Sequence, residues 1–211
     1  MTTLITALVL ACSCSSPEMP KIVEPEWLHS TAGPPVDCCG PQRPRFPSVA
    51  GSTFGGVIAP KEYFEKLVSS VGSASKVLGY TVDGFWTPTP QDVLRAEQRV
   101  RAAIAEAGQD FAAVAGPQKR PPSAQRFAMD QLEKIVANLA EFDAQYAGMI
   151  IGGRKRILCN FMRRESGSQH FLGNSRMCQW VQVDDGGFWY WQIQYDVVTG
   201  TCLAFQSNGY A

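Results

Sequence analysis

The spacing of hydrophobic residues changes once along this chain, near residue 146, and that change limits the fold more than any other feature. Before it, apolar residues recur every three or four positions, which is typical of helices. After it they alternate with polar residues, which is typical of strands. Helices followed by strands predict an α+β domain.

Three helices are predicted before the change. The first covers residues 60–71, and the second runs from Pro90 to about residue 107. Thr89 is placed to cap the second helix, with Asp92 facing back toward it. Glu97 and Arg101 are expected to form an i,i+4 ion pair on its surface. The third helix is predicted from residue 123 to about 145, with an apolar stripe facing the core.

Four strands are predicted at residues 147–151, 155–162, 188–197 and 201–206. Gly152 and Gly153 form a tight-turn dipeptide between the first two. The inward residues of the last three strands are strongly apolar, and the stripe of the third helix is the natural cover for them. We therefore expect helices packed on one face of a four-stranded antiparallel meander.

The polar residues of these strands should point away from that cover, toward water. They form the candidate binding face, which consists of Arg154, Arg156, Asn160, Tyr190, Gln192 and Gln194. An exposed strand edge beside it would allow a partner to bind by strand addition. The partner expected on this face is an envelope protein or a cell-wall component.

The order of helix, hairpin, connection and hairpin resembles the cystatin-like arrangement, in which a sheet curves around one long helix. The likeness concerns the fold and implies no function. Residues 145–151, 159–161, 184–189 and 196–200, with the ending Asn208-Gly209, are similar to segments of uncharacterised secreted bacterial lipoproteins.

The N-terminus predicts an exported and lipidated protein. Residues 4–11 are apolar but too short to span a bilayer, so residues 1–11 fit a signal peptide. Val9-Leu10-Ala11-Cys12 resembles the bacterial lipobox, which implies cleavage before Cys12 and a lipid on it. Two features depart from that pattern: residues 1–11 contain no Lys or Arg, and Leu10 is bulky. Cys14 as the lipidated residue and plain secretion are the alternatives.

Prolines mark residues 12–50 as a tether between this anchor and a domain at 51–211. Eight of the fourteen prolines lie between residues 13 and 50. Each lacks an N–H donor and has a fixed φ, which disfavours helices and central strands. We expect a bacterial envelope protein, held to the membrane through lipid on the periplasmic or outer side.

The seven cysteines suggest disulfides in an oxidising compartment, because no zinc-type spacing recurs. By strict alternation Cys159 faces the core and Cys202 the opposite side. A Cys159–Cys178 bridge is therefore favoured, with Cys178–Cys202 as the alternative.

Recognisable catalytic motifs are absent from the sequence, and it suggests neither a metal nor a cofactor. Nineteen basic residues balance nineteen acidic ones, which argues against a nucleic-acid partner. A non-enzymatic binding domain is therefore the favoured function. The alternative is a secreted hydrolase of unrecognised type that uses His170 with Asp184 or Asp185.

Overall fold

The computed structural model describes residues 45–74, 78, 80–107, 122–164, 176–183 and 186–207, with side chains 122–125 and 128 excluded. All of these residues belong to one compact unit, Gly33–Ala211. Cys12, the predicted signal peptide and nearly all of the predicted tether lie outside the described residues, as do His170, Asp184 and Asp185. The domain begins earlier than predicted, because Phe46 and Val49 are already buried in it.

The three predicted helices are present as α1 (Lys61–Val71), α2 (Pro90–Ala107) and α3 (Pro122–Ala137). The predicted start of α2 is confirmed: the N–H of Asp92 donates to the hydroxyl of Thr89, and the N–H of Thr89 donates to the carboxylate of Asp92. α1 ends at Gly72, whose φ of 81° suits glycine.

The third helix is shorter than predicted. α3 ends at Ala137, a 3-10 turn covers Leu139–Glu141, and a strand begins at Phe142. Both a helix and a strand would bury Phe142, so the apolar spacing alone did not separate them. Residues 142–151 form a strand because they pair along their whole length with residues 154–163.

The sheet has six strands: β1 (Val57–Ala59), β2 (Gly84–Trp86), β3 (Phe142–Ile151), β4 (Arg154–Arg163), β5 (Tyr190–Asp196) and β6 (Thr201–Ser207). β3 to β6 form the predicted antiparallel meander. The limit of four strands was wrong. β1 adds to β3 in parallel at residues 145–147, and β2 adds to it antiparallel at residues 148–150, so the sheet is mixed.

Both faces of the sheet are covered, which corrects the prediction of helices on one face. On the first face α2 and α3 bury residues such as Val100 and Ile135 against Tyr146 and Trp191. On the second face Phe64 of α1 packs with Ala147, Met149, Leu158 and Trp180. The alternating pattern missed this second core because it is built partly from irregular segments, 46–49 and 176–183, that have no period.

Candidate functional site

A buried polar cluster lies where α2 meets the turn at residues 51–56. Val93, Ala96 and Val100 of α2 are fully buried on the sheet, and this rotation of the helix carries Glu97 inward as well. Glu97 is only 2% exposed. The predicted surface ion pair with Arg101 is therefore wrong, because the acidic partner lies inside the domain.

Glu97 accepts three hydrogen bonds from groups distant in sequence. The backbone N–H of Thr53 donates to it at 2.9 Å, the phenol of Tyr146 donates at 2.6 Å, and the hydroxyl of Ser52 also donates to it. The Ser52 oxygen accepts in turn from the N–H groups of Gly56 and Phe54, at 2.8 and 3.3 Å. One carboxyl group thus fixes the whole turn onto α2 and β3.

Burial and neighbouring charges keep the groups behind Glu97 neutral. Burial raises the pKa of Tyr146 well above its usual value, and the proximity of Cys159 and Glu97 adds to the shift. The pKa of the Cys159 thiol is raised well above its usual value for the same leading reason, with Cys202 and Glu97 contributing. Tyr146 therefore acts as a hydrogen-bond donor, and Cys159 as an unreactive core residue.

A cleft of about 390 Å³ opens to solvent directly above Glu97. Its walls combine one aliphatic side chain with polar and charged groups, contributed by Gly51, Thr53, Leu94, Glu97, Gln98 and Arg101. Thr53, Gln98 and Arg101 are exposed, whereas Glu97 at the base is buried. The exposed polar side chains of the cleft can therefore contact a ligand, whereas the hydrogen bonds of Glu97 are already formed within the domain.

The candidate binding face predicted from the strands is largely covered. Asn160 and Gln194 are buried, at 6% and 1% exposure, and Arg156 donates a hydrogen bond to Gln194 at 2.9 Å. Tyr190 and Gln192 are half-buried, and Arg154 is exposed beside Asp196, with 3.3 Å between the charged atoms. The six residues therefore do not form one open surface.

Segment 176–183 covers the part of this face around Asn160. Gln145 donates to the carbonyl oxygens of Arg176 and Gln179 at 2.8 and 2.7 Å and accepts from the N–H of Val181 at 2.9 Å. Asn160 donates to the carbonyl oxygen of Val181 at 2.9 Å. The polar residues on this side of the strands bind an irregular backbone segment instead of water, which strand periodicity does not reveal.

A second ionic cluster fixes the start of the same segment. The carboxylate of Asp143 lies 2.9 Å from Arg164 and 3.1 Å from Arg176. Arg176 also donates to the carbonyl oxygen of Gly55 at 2.9 Å. Asp143 and Arg176 thereby link β3, the 51–56 turn and segment 176–183.

Neither predicted disulfide within the domain is present. Cys159 and Cys202 are both free thiols and both buried in the first core. They share a face because a β-bulge opposite Ile193 adds a residue to β6, with Ala204 at a φ of 54°. Strict alternation, on which the opposite-face prediction rested, fails at that bulge. Cys178 is disulfide-bonded.

Within the described ranges, no group of three or more His, Cys, Asp or Glu side chains is arranged to hold a metal ion. No helix in the described part of the chain is both long and apolar enough to cross a membrane. The chain matches no family model, no curated protein and no solved structure.

Sequence reasoning missed the group Ser52, Glu97 and Tyr146. One signal for it was present: Glu97 lies four residues after Val93 and three before Val100, on the apolar stripe of α2. A charged residue on such a stripe needs a buried partner. The partners themselves, 45 and 49 positions away, are brought to it only by the fold.

Proposed function

We propose that this protein is a bacterial envelope lipoprotein, anchored through Cys12, whose domain binds a carboxylate-bearing cell-wall component in the cleft above Glu97. The signal and lipobox-like residues support the anchor, and the prolines of residues 12–50 support a spacer that holds the domain away from the membrane. The observation that supports the binding site is the cleft itself, with exposed Thr53, Gln98 and Arg101 above a fixed base.

The chemistry of the cleft favours binding over catalysis. A general acid or base must exchange a proton with substrate, but Glu97 already accepts three hydrogen bonds. The raised pKa of Tyr146, caused chiefly by burial, keeps its proton in place. These groups therefore hold the 51–56 turn rigid, which lowers the entropy lost when a ligand contacts it.

The size and charge of the cleft define the ligand class. A volume of about 390 Å³ lies in the range of small-molecule sites and fits a short peptide or a disaccharide unit. The guanidinium of Arg101 is suited to a carboxylate, and Gln98 and Thr53 add hydrogen-bonding groups. Wall peptides carry free carboxylates and amides in such a short unit, so they meet these requirements.

The anchor is tested by the mass of the protein made in a bacterial host. We expect a chain that begins at Cys12 and carries a lipid, together with its loss from the membrane fraction in Cys12→Ala. Cys14→Ser serves as the matched control and should remain lipidated. An unmodified chain that retains Met1 would refute the anchor.

The binding site is tested by co-sedimentation of the purified full chain, in detergent, with isolated cell-wall sacculi. Arg101→Glu should weaken binding at least tenfold, because it puts a negative charge beside the ligand carboxylate. Arg126→Glu is the matched control: it makes the same charge change at an exposed position of α3, outside the cleft, and should bind like the wild type. Equal binding by both variants, or none by the wild type, would overturn the assignment.

A further inference from the structure

The part of α2 that lines the cleft presents three kinds of side chain in a row. Leu94 is aliphatic and half-buried, Gln98 is an exposed amide, and Arg101 is an exposed cation. Seven residues make nearly two turns of an α-helix, so Leu94 and Arg101 lie on the same side of α2, about 10 Å apart along its axis. Gln98 lies between them in the sequence. This wall is therefore apolar at one end, polar in the middle and cationic at the other end.

The opposite wall adds a polar group to the middle of the row. The N–H of Thr53 donates to the carboxyl group of Glu97 at 2.9 Å. Glu97 lies about one turn from each end of the row, so Thr53 faces its middle. Gly51 supplies no side chain, and a Cβ there would meet no atom within 4 Å. Among the described lining residues, only those of α2 distinguish the two ends of the cleft.

This asymmetry gives a bound ligand a direction. The guanidinium of Arg101 can hold a ligand carboxylate through two parallel hydrogen bonds. Against Leu94 the same carboxylate would lose hydration, and no described cation lines that end to compensate. An apolar side chain has the opposite preference, because contact with Leu94 removes its surface from water. The carboxylate and the apolar group of one ligand should therefore lie at opposite ends of the cleft.

The distance between the two ends sets the spacing of these groups in a peptide. An extended chain advances about 3.3–3.6 Å per residue, so about 10 Å is the length of three residues. A free C-terminal carboxylate on Arg101 then places the side chain two residues before the C-terminal residue against Leu94. The backbone amides between these groups lie along Gln98 and Thr53, whose side chains can donate and accept hydrogen bonds.

We infer that the cleft binds the C-terminal tripeptide of its ligand in this one direction, and that Leu94 selects an apolar side chain at the first of the three positions. This rests on the proposed function of the cleft and adds the direction of the ligand and its preferred side chain. Leu94 is then the residue that sets specificity, and Arg101 is the residue that anchors the carboxylate.

Three isomeric peptides test the direction, because they have the same composition, charge and length. They are acetyl-Leu-Gly-Gly, acetyl-Gly-Leu-Gly and acetyl-Gly-Gly-Leu, each titrated against the purified full chain in detergent and followed by ligand-observed NMR. We expect acetyl-Leu-Gly-Gly to bind about tenfold more tightly than either isomer, because only its leucine side chain is buried against Leu94. Its C-terminal amide should bind about tenfold more weakly than the acid, because Arg101 then lacks a carboxylate.

Variants of the two end residues separate their roles. Leu94→Ala should bind the three isomers within about twofold of one another, because less apolar surface is left to contact. Leu94→Met keeps the apolar volume and should retain the preference. Arg101→Gln should bind the acid and its amide equally. Arg126→Glu, outside the cleft, is the control and should rank the peptides as the wild type does.

The possible results separate this inference from the proposed function. Equal binding of the three isomers, or tighter binding of another isomer, would refute the direction. If no peptide binds while sacculi still co-sediment through Arg101, the inference fails and the proposed function stands. Equal binding of the acid and its amide by the wild type, or binding of neither peptides nor sacculi, would overturn both. If Leu94→Ala does not fold, the order of the isomers on the wild type decides.

Discussion

The phenol of Tyr146 on β3 donates a 2.6 Å hydrogen bond to the buried carboxyl group of Glu97 on α2, 49 positions earlier in the chain. The same carboxyl group holds Ser52 and Thr53, so this contact joins a helix, a strand and a turn. Buried polar groups of this kind stabilise a fold only while every partner remains in place.

Removal of the carboxyl group should therefore be costly. Glu97→Ala leaves Ser52, Thr53 and Tyr146 without an acceptor and should lower the free energy of unfolding by about 3–5 kcal/mol. Tyr146→Phe keeps the ring and removes one donor, for a loss of about 1–3 kcal/mol. Urea denaturation measures both. Glu106→Ala, on the exposed end of the same helix, is the control and should change stability by less than about 0.5 kcal/mol.

The pairing of β2 with β3 depends on a missing side chain. A Cβ at Gly148 would clash with the carbonyl oxygen of Trp86 and lie 2.9 Å from its ring. Gly148→Ala should force the two strands apart and reduce the free energy of unfolding by about 3 kcal/mol. Gly84→Ala is the matched control in β2, because a Cβ there meets nothing closer than 3.8 Å. Equal thermal midpoints for the two variants would contradict the close approach.

The buried thiol of Cys202 should make stability fall at high pH. Burial raises its pKa from 9.0 to about 12. Between pH 9 and about 12 the thiol keeps its proton in the folded protein but loses it in the unfolded chain. The stability present below pH 9 is therefore lost over this range, at about 1.4 kcal/mol per pH unit. Cys202→Ser removes this ionisation, so its stability should decline less steeply than that of the wild type over that range. If the urea midpoints of the wild type and of Cys202→Ser fall equally from pH 9 to 11, the pKa of the thiol is not raised by burial.

The β-bulge in β6 predicts opposite effects of two substitutions at one position. Ala204 has a φ of 54°, in the left-handed region that disfavours side chains. Ala204→Gly should raise the free energy of unfolding by about 0.5 kcal/mol, whereas Ala204→Val should lower it by about 2 kcal/mol, because a β-branched residue fits this conformation worst. Thermal unfolding monitored by circular dichroism measures both. A stabilising valine would contradict the assigned φ.

Local patterns predicted those parts of the fold whose interactions are local. The capped start of α2 is encoded within four residues, from Thr89 to Asp92, and it is confirmed. The two hairpins, β3 with β4 and β5 with β6, follow from alternation and short turns, and both are confirmed. The predicted end of α3 was too late because the apolar pattern near Phe142 suits a helix and a strand equally. Only the pairing with β4 shows that the segment is a strand.

The candidate site was largely unpredictable for the same reason. Asn160 has the polar, alternating position of a wet sheet face, yet segment 176–183 covers it through its backbone. The sequences of the strands alone do not predict this contact. The prediction that Cys159 and Cys202 face opposite sides of the sheet was wrong. The extra residue at Ala204 changes the alternation between Cys202 and Phe205, so both of these side chains point into the same core.

The sequence by itself determined the helix starts and the two hairpins of the α+β domain, because each depends on contacts within a few residues. Only the tertiary structure decided that the sheet is covered on both sides, that Glu97 is internal, and that Phe46 lies beside Met177. These outcomes join groups dozens of positions apart. Such contacts stabilise the protein only after the chain between them has closed into a loop, so a local sequence pattern cannot predict them.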